Sequence, residues 1–143
     1  MSVSSSQSSQ QNIHGQCLCG KVKIKAAEVT LHAGACHCHY CRKWSGGPLF
    51  TLDAGTGVKL DGSCFVSCFN SSDWAERGFC NNCGTHLFYR LKQNNQYFIP
   101  VGLFNQLTNL VLDHQIFIEQ KPGILQVVES RKAATAALPQ QLR

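Results

Sequence analysis

Nine cysteines fall in four clusters along 143 residues: C-L-C (Cys17, Cys19), C-H-C-H-Y-C (Cys36, Cys38, Cys41), C-F-V-S-C (Cys64, Cys68) and C-N-N-C (Cys80, Cys83). An odd count cannot pair fully within one chain, and the opening MSVSSSQSSQQN lacks the apolar stretch of a signal peptide. The expectation is a cytoplasmic protein whose thiols stay reduced and bind metal.

Alternate side chains of an extended strand face the same way, so Cys17 and Cys19 present both sulfurs to one side, roughly 6.5 to 7 Å apart at the backbone. C-N-N-C-G suits a tight knuckle, because Asn and Gly tolerate unusual backbone angles and the turn's N–H groups stabilise thiolate charge. The two pairs together supply Cys17, Cys19, Cys80 and Cys83 to a closed structural zinc site.

In C-H-C-H-Y-C an extended Cys36–His39 places Cys36 and Cys38 on one face and His37 and His39 on the other. A turn through His39 and Tyr40 returns Cys41 to Cys38. Three thiolates then hold a second zinc with a fourth place free of any local ligand, the pattern of a catalytic metal. A remote Cys64, Cys68 or His86 could instead fill that place and make the site structural. His37 and His39 are read as surface or hydrogen-bonding residues rather than ligands, and Cys64 and Cys68 as core packing.

The elements that must carry these ligands are short. VKIK (Val22 to Lys25), PLFTLD (Pro48 to Asp53), CFVSCF (Cys64 to Phe69), HLFYRL (His86 to Leu91), QYFIPV (Gln96 to Val101) and HQIFIE (His114 to Glu119) are β-branched and aromatic runs that predict strands. DAGTG, DGS, NNCG and QNN supply turns between them. No long 3.6-residue apolar period occurs. The prediction is a mainly β fold of bent antiparallel sheets stapled by zinc, with short helical turns near Tyr40–Trp44 and Phe104–Gln106.

One domain is expected over residues 14–130, between a Ser/Gln-rich tail (1–13) and a terminus (131–143) whose RKAATAALPQQLR predicts a short Ala-rich helical piece. The formal charge of +5 falls to about +2 once seven thiolates and two Zn²⁺ are counted. With its basic residues scattered, nucleic acid is not an expected partner, and no stretch is long enough for a membrane span.

G-Q-C-L-C-G-K-V from Gly15, C-H-C-H-Y-C-R-K from Cys36, Gly46 and Gly47, S-S at Ser71 and Ser72, R-G-F-C-N-N-C-G-T from Arg77, V-G at Val101 and I-F-I-E-Q-K-P from Ile116 together resemble the glutathione-dependent formaldehyde-activating enzyme family, which includes the centromere protein V group. The resemblance implies a β-tent type fold, a structural zinc on Cys17, Cys19, Cys80 and Cys83, and a second zinc on Cys36, Cys38 and Cys41 near the substrate. It implies a carbon–sulfur lyase-type activity joining glutathione to formaldehyde as S-hydroxymethylglutathione. After Lys121-Pro122 the chain reads G-I-L-Q-V-V, where the family pattern has an aromatic residue.

Two zinc ions per chain, a small-molecule thiol and a small carbonyl substrate are thus expected. Three thiolates leave a zinc site net negative, which favours binding and acidifying a thiol over making hydroxide. Arg42 and Arg77 are the candidates to hold a substrate carboxylate. His37, His39 and His86 are the proton-shuttle candidates, with Ser71 and Ser72 read as turn or hydrogen-bonding residues. The alternatives are a non-catalytic zinc-stapled binding module and, last, a reductase using Cys64 or Cys68.

Overall fold

The computed structural model describes residues 10–125, so the Ala-rich piece expected after Ser130 lies outside the described residues. Strands are β1 (Gln10–Gln16), β2 (Lys23–Thr30), β3 (His32–Cys36), β4 (Leu49–Gly55), β5 (Val58–Asp61), β6 (Val66–Phe69), β7 (Ala75–Cys80), β8 (His86–Leu91), β9 (Gln96–Pro100) and β10 (Val111–Ile116), with one α-helix, α1 (His39–Ser45). They form a three-stranded sheet, β1-β2-β5, and a seven-stranded sheet, β10-β3-β4-β9-β8-β7-β6.

The core lies where the two sheets face each other. In β2 the lysines Lys23 and Lys25 point out while Ile24 and Ala26 point in, the period-2 pattern of a sheet with one wet face. Ile24 shares one buried cluster with Ile13 and Val22 on the small-sheet side and Leu52, Leu87, Phe88 and Ile99 of the large sheet. Gly78 on β7 stays a glycine because an added Cβ would collide with the Phe88 ring.

Most predicted runs correspond to strands, and the fold is mainly β, but several expectations are corrected. Gln10–Ile13, expected in the tail, begin β1. QQNIHGQ buries only Ile13 well, and the strand exists because β2 supplies its ladder partners. β10 runs parallel to β3 rather than antiparallel. Ser63–Phe65 form a 3₁₀ turn, which takes Cys64 off the strand that Cys68 occupies, and both thiols are exposed rather than packed in the core. The turn expected at Phe104–Gln106 is a 3₁₀ turn at Val101–Leu103.

Candidate metal centres and the cavity they border

Cys17 follows β1, Cys80 ends β7, and Cys83 closes the knuckle in which Gly84 N–H returns to the Cys80 carbonyl at 2.8 Å. The ligand atoms of Cys17, Cys19, Cys80 and Cys83 all lie within 4.8 Å of one another. Cys19 Sγ is 3.6 Å from Cys17 Sγ and 3.8 Å from Cys80 Sγ. An ion about 2.3 Å from each of four tetrahedral sulfurs would hold them about 3.8 Å apart, so this donor set fits zinc.

Hydrogen bonds already reach these sulfurs. Val22 N–H donates to Cys17 Sγ at 3.3 Å. The Thr85 hydroxyl, 3.1 Å from Cys83 Sγ, holds that thiol down to about 5. Thr85 is itself fixed by Leu18 N–H at 3.0 Å.

The second group is made by a strand running into a helix. β3 delivers Cys36, Cys38 is the N-cap of α1, and the first helical turn brings Cys41 N–H to Cys38 Sγ at 3.3 Å. The ligand atoms of Cys36, Cys38 and Cys41 lie within 4.8 Å of one another, and among the described residues no fourth Cys, His, Asp or Glu joins them. Three soft donors in that space also fit zinc.

Arg77, 5 % exposed, reaches this trio from β7. Its two terminal nitrogens are 3.6 and 3.8 Å from Cys41 Sγ, and its guanidinium lies about 5 Å from the Trp44 and Tyr89 ring centres. No described carboxylate pairs with it. A buried arginine needs a counter-charge, and the one it meets here is sulfur. The hydrogen-bonded Cys36 thiol, with Arg77 adding to it against burial, holds Cys41 at about 6, while the same pairing pushes Cys36 far up. The Cys36 thiol and the Arg77 charge thus favour thiolate at Cys41.

A cavity of about 590 Å³ opens beside the trio. Cys36, Cys38, Cys41 and Arg77 border it together with aromatic walls from Trp74, Tyr89, Phe98 and Phe117; the four cysteines of the other cluster do not. β10 and the segment after it are tied to residues beside the trio by four hydrogen bonds. His37 N–H donates to the Ile116 carbonyl at 3.1 Å, His37 Nε2 meets Gln115 Oε1 at 2.8 Å, His39 N–H donates to Gln120 Oε1 at 2.9 Å and Arg42 Nη1 donates to the Gln120 carbonyl at 2.8 Å.

These contacts sort the candidate residues. Arg42 is engaged by Gln120 and does not border the cavity, whereas Arg77 does. His37 is buried against Gln115, away from the cavity. His86 stacks on Trp44 at 3.9 Å between ring centres, where burial and the Arg77 charge push its imidazole down. Of the three histidines only His39 borders the cavity. Sequence reasoning passed over Gln120 and the aromatic walls, although Gln120 sits inside the quoted I-F-I-E-Q-K-P ending.

The family model described as glutathione-dependent formaldehyde-activating enzyme matches residues 12–120, which include both cysteine groups and every residue bordering the cavity. The chain belongs to this family. An uncharacterized lyase of Schizosaccharomyces pombe is 35 % identical over 109 residues, covering 76 % of this chain and 80 % of that protein. The crystal structure of a Rhodobacter sphaeroides protein shares the fold with a TM-score of 0.56 at 22 % identity, over 72 % of this chain and 99 % of that one. As a member of the formaldehyde-activating family, the chain carries the two cysteine groups as its candidate metal sites. Among the described residues no helix is long and apolar enough to cross a membrane.

Proposed function

We propose that the chain is a zinc-dependent carbon–sulfur lyase-type enzyme that joins a thiol, glutathione or one like it, to a small carbonyl compound such as formaldehyde. The observation that carries this reading is the contrast between the two cysteine groups. The quartet is a closed set away from the cavity, and the trio has no fourth donor among the described residues and borders about 590 Å³ of space. A zinc ion on Cys36, Cys38 and Cys41, when bound, supplies a place in which a thiol is acidified.

The chain's own residues do the rest. Arg77 sets a positive charge against Cys41 and so offsets the excess negative charge of three thiolates. The aromatic walls exclude water and strengthen that interaction. His39, at the edge of the cavity, is placed to exchange the thiol proton with solvent. In the net reaction a C–S bond forms, the C=O π bond breaks, and the proton lost from sulfur ends on oxygen.

The test is to count zinc per chain and follow hydroxymethyl-thioether formation from ¹³C-formaldehyde and glutathione by NMR, in wild type and Cys36→Ser. Two ions falling to one with loss of turnover is expected. Full turnover in a Cys36→Ser protein that has lost the second ion would overturn the reading. No turnover in wild type holding both ions would favour a zinc-stapled binding module.

A further inference from the structure

The hydroxyls of Ser71 and Ser72 are buried and have no hydrogen-bond partner, and both residues border the cavity that the cysteine trio opens on. Buried hydroxyls are almost always paired, because leaving water without a replacement partner is costly. Two adjacent exceptions in the wall of one cavity point to something the cavity receives. The loop that holds them is fixed rather than slack: Ser72 N–H donates to the Ala75 carbonyl at 3.3 Å, immediately before the strand that carries Arg77.

Among the groups bordering the cavity, the Ser71 and Ser72 hydroxyls are the ones buried without a partner. Arg77 faces Cys41, and Gln120 holds His39 N–H and Arg42. The sulfur end of the cavity is thus furnished with thiolates and a cation, and the two serines are left as uncommitted neutral hydrogen-bonding groups. We propose that Ser71 and Ser72 hold the oxygen of the carbonyl substrate, an inference that rests on the carbon–sulfur reading above.

The chemistry of that oxygen matches a hydroxyl pair. In the free aldehyde the oxygen only accepts hydrogen bonds. As sulfur adds to carbon, the C–S bond forms, the π pair moves onto oxygen, and the proton given up by the thiol arrives there. In the product the same atom is a hydroxyl that both donates and accepts. A serine hydroxyl can donate at the first stage and rotate to accept at the last, which an arginine cannot do. Donors aimed at a developing oxyanion act mainly on the transition state, so the effect belongs in kcat.

The experiment uses the zinc-loaded full chain as wild type, Ser71→Ala, Ser72→Ala, the double variant and Ser72→Thr, with zinc content and Tm as controls for folding. Turnover is measured with formaldehyde and glutathione each varied in turn, and again with 2-mercaptoethanol in place of glutathione. Binding of acetamide, an unreactive neutral carbonyl, is followed separately by NMR shifts of the Trp74 indole, which borders the same cavity.

Each alanine should lower kcat by roughly 10- to 100-fold with KM for the thiol unchanged. The double variant should weaken acetamide binding about tenfold or more, and Ser72→Thr should restore most of the loss. If the double variant matches wild type within about twofold in kcat and in acetamide binding, or if wild type binds no acetamide, the serine inference is overturned. If wild type shows no turnover but binds acetamide, and the double variant loses that binding, the lyase reading alone fails and the serine assignment stands.

Discussion

Replacing Cys19 by serine isolates what the first metal site contributes to the fold. Cys19 is exposed, so the substitution removes a ligand without emptying core volume. Its sulfur lies beside that of Cys80, 61 positions away in the chain. Closing a loop of that length removes about 4 kcal/mol of unfolded-state entropy on the cross-link model. A domain of this size has a total stability of about 5–15 kcal/mol. With a urea slope of about 2 kcal/mol per molar, losing the staple should lower the denaturation midpoint by up to about 2 M. Zinc should fall from two ions to one. Cys36→Ser gives the same change in zinc count with a different outcome, because its partners are two and five residues away in sequence and tie no distant segments. On the same model its cost should be about 2 kcal/mol, half that of Cys19→Ser. Urea titration with zinc analysis on the two variants separates these. Equal midpoint shifts, or a Cys19→Ser protein that keeps both ions and the wild-type midpoint, would refute the reasoning.

The Cys83 thiol is held down to about 5 by Thr85; a group lowered in the folded state contributes stability present above its ordinary thiol range and lost as pH falls through the folded value. Thr85→Val should therefore release zinc nearer neutral pH than wild type in an acid titration read with a chromogenic chelator, and superimposed curves would remove Thr85 from that role. Arg77→Gln should raise the Cys41 thiol from about 6, slowing its alkylation by iodoacetamide at pH 7 in zinc-stripped protein, and should lower turnover of the loaded enzyme at least about tenfold; an unchanged alkylation rate would show that Cys36 alone sets the thiolate. Leu52→Ala, at a fully buried position, should cost about 2–5 kcal/mol in urea titrations without changing zinc content. Gly78→Ala should cost about 1–3 kcal/mol, since its Cβ must displace the Phe88 ring, and a neutral result would mean that the ring moves freely.

What the sequence determined by itself was local. Cys36, Cys38 and Cys41 lie within one strand end and one helical turn, so their spacing alone dictates that three sulfurs converge, and the C-N-N-C knuckle follows the same logic. Runs of β-branched and aromatic residues marked β2, β4, β8 and β9, and in β2 the alternation of Lys23, Ile24, Lys25 and Ala26 adds a wet face and a dry one. β1 was hidden because its residues are polar and β2 supplies its pairing, and β7 because Glu76, Arg77 and Gly78 interrupt any alternation.

Tertiary structure alone decided which side chains meet across the fold. Arg42, next to a candidate ligand in sequence, is turned to the Gln120 carbonyl, and Arg77, 36 positions from Cys41, reaches its sulfur. Cys64 and Cys68 carry the same residue type as the metal groups, yet the 3₁₀ turn at Ser63–Phe65 leaves both exposed and outside either group. The parallel seat of β10 against β3 brings Phe117 and Gln120 to the cavity, and burial removes the Ser71 and Ser72 hydroxyls from water. Spacing fixes which atoms a short segment gathers; which distant segment packs against it, and how dry the space between them becomes, depends on long-range pairing and burial that local sequence does not encode.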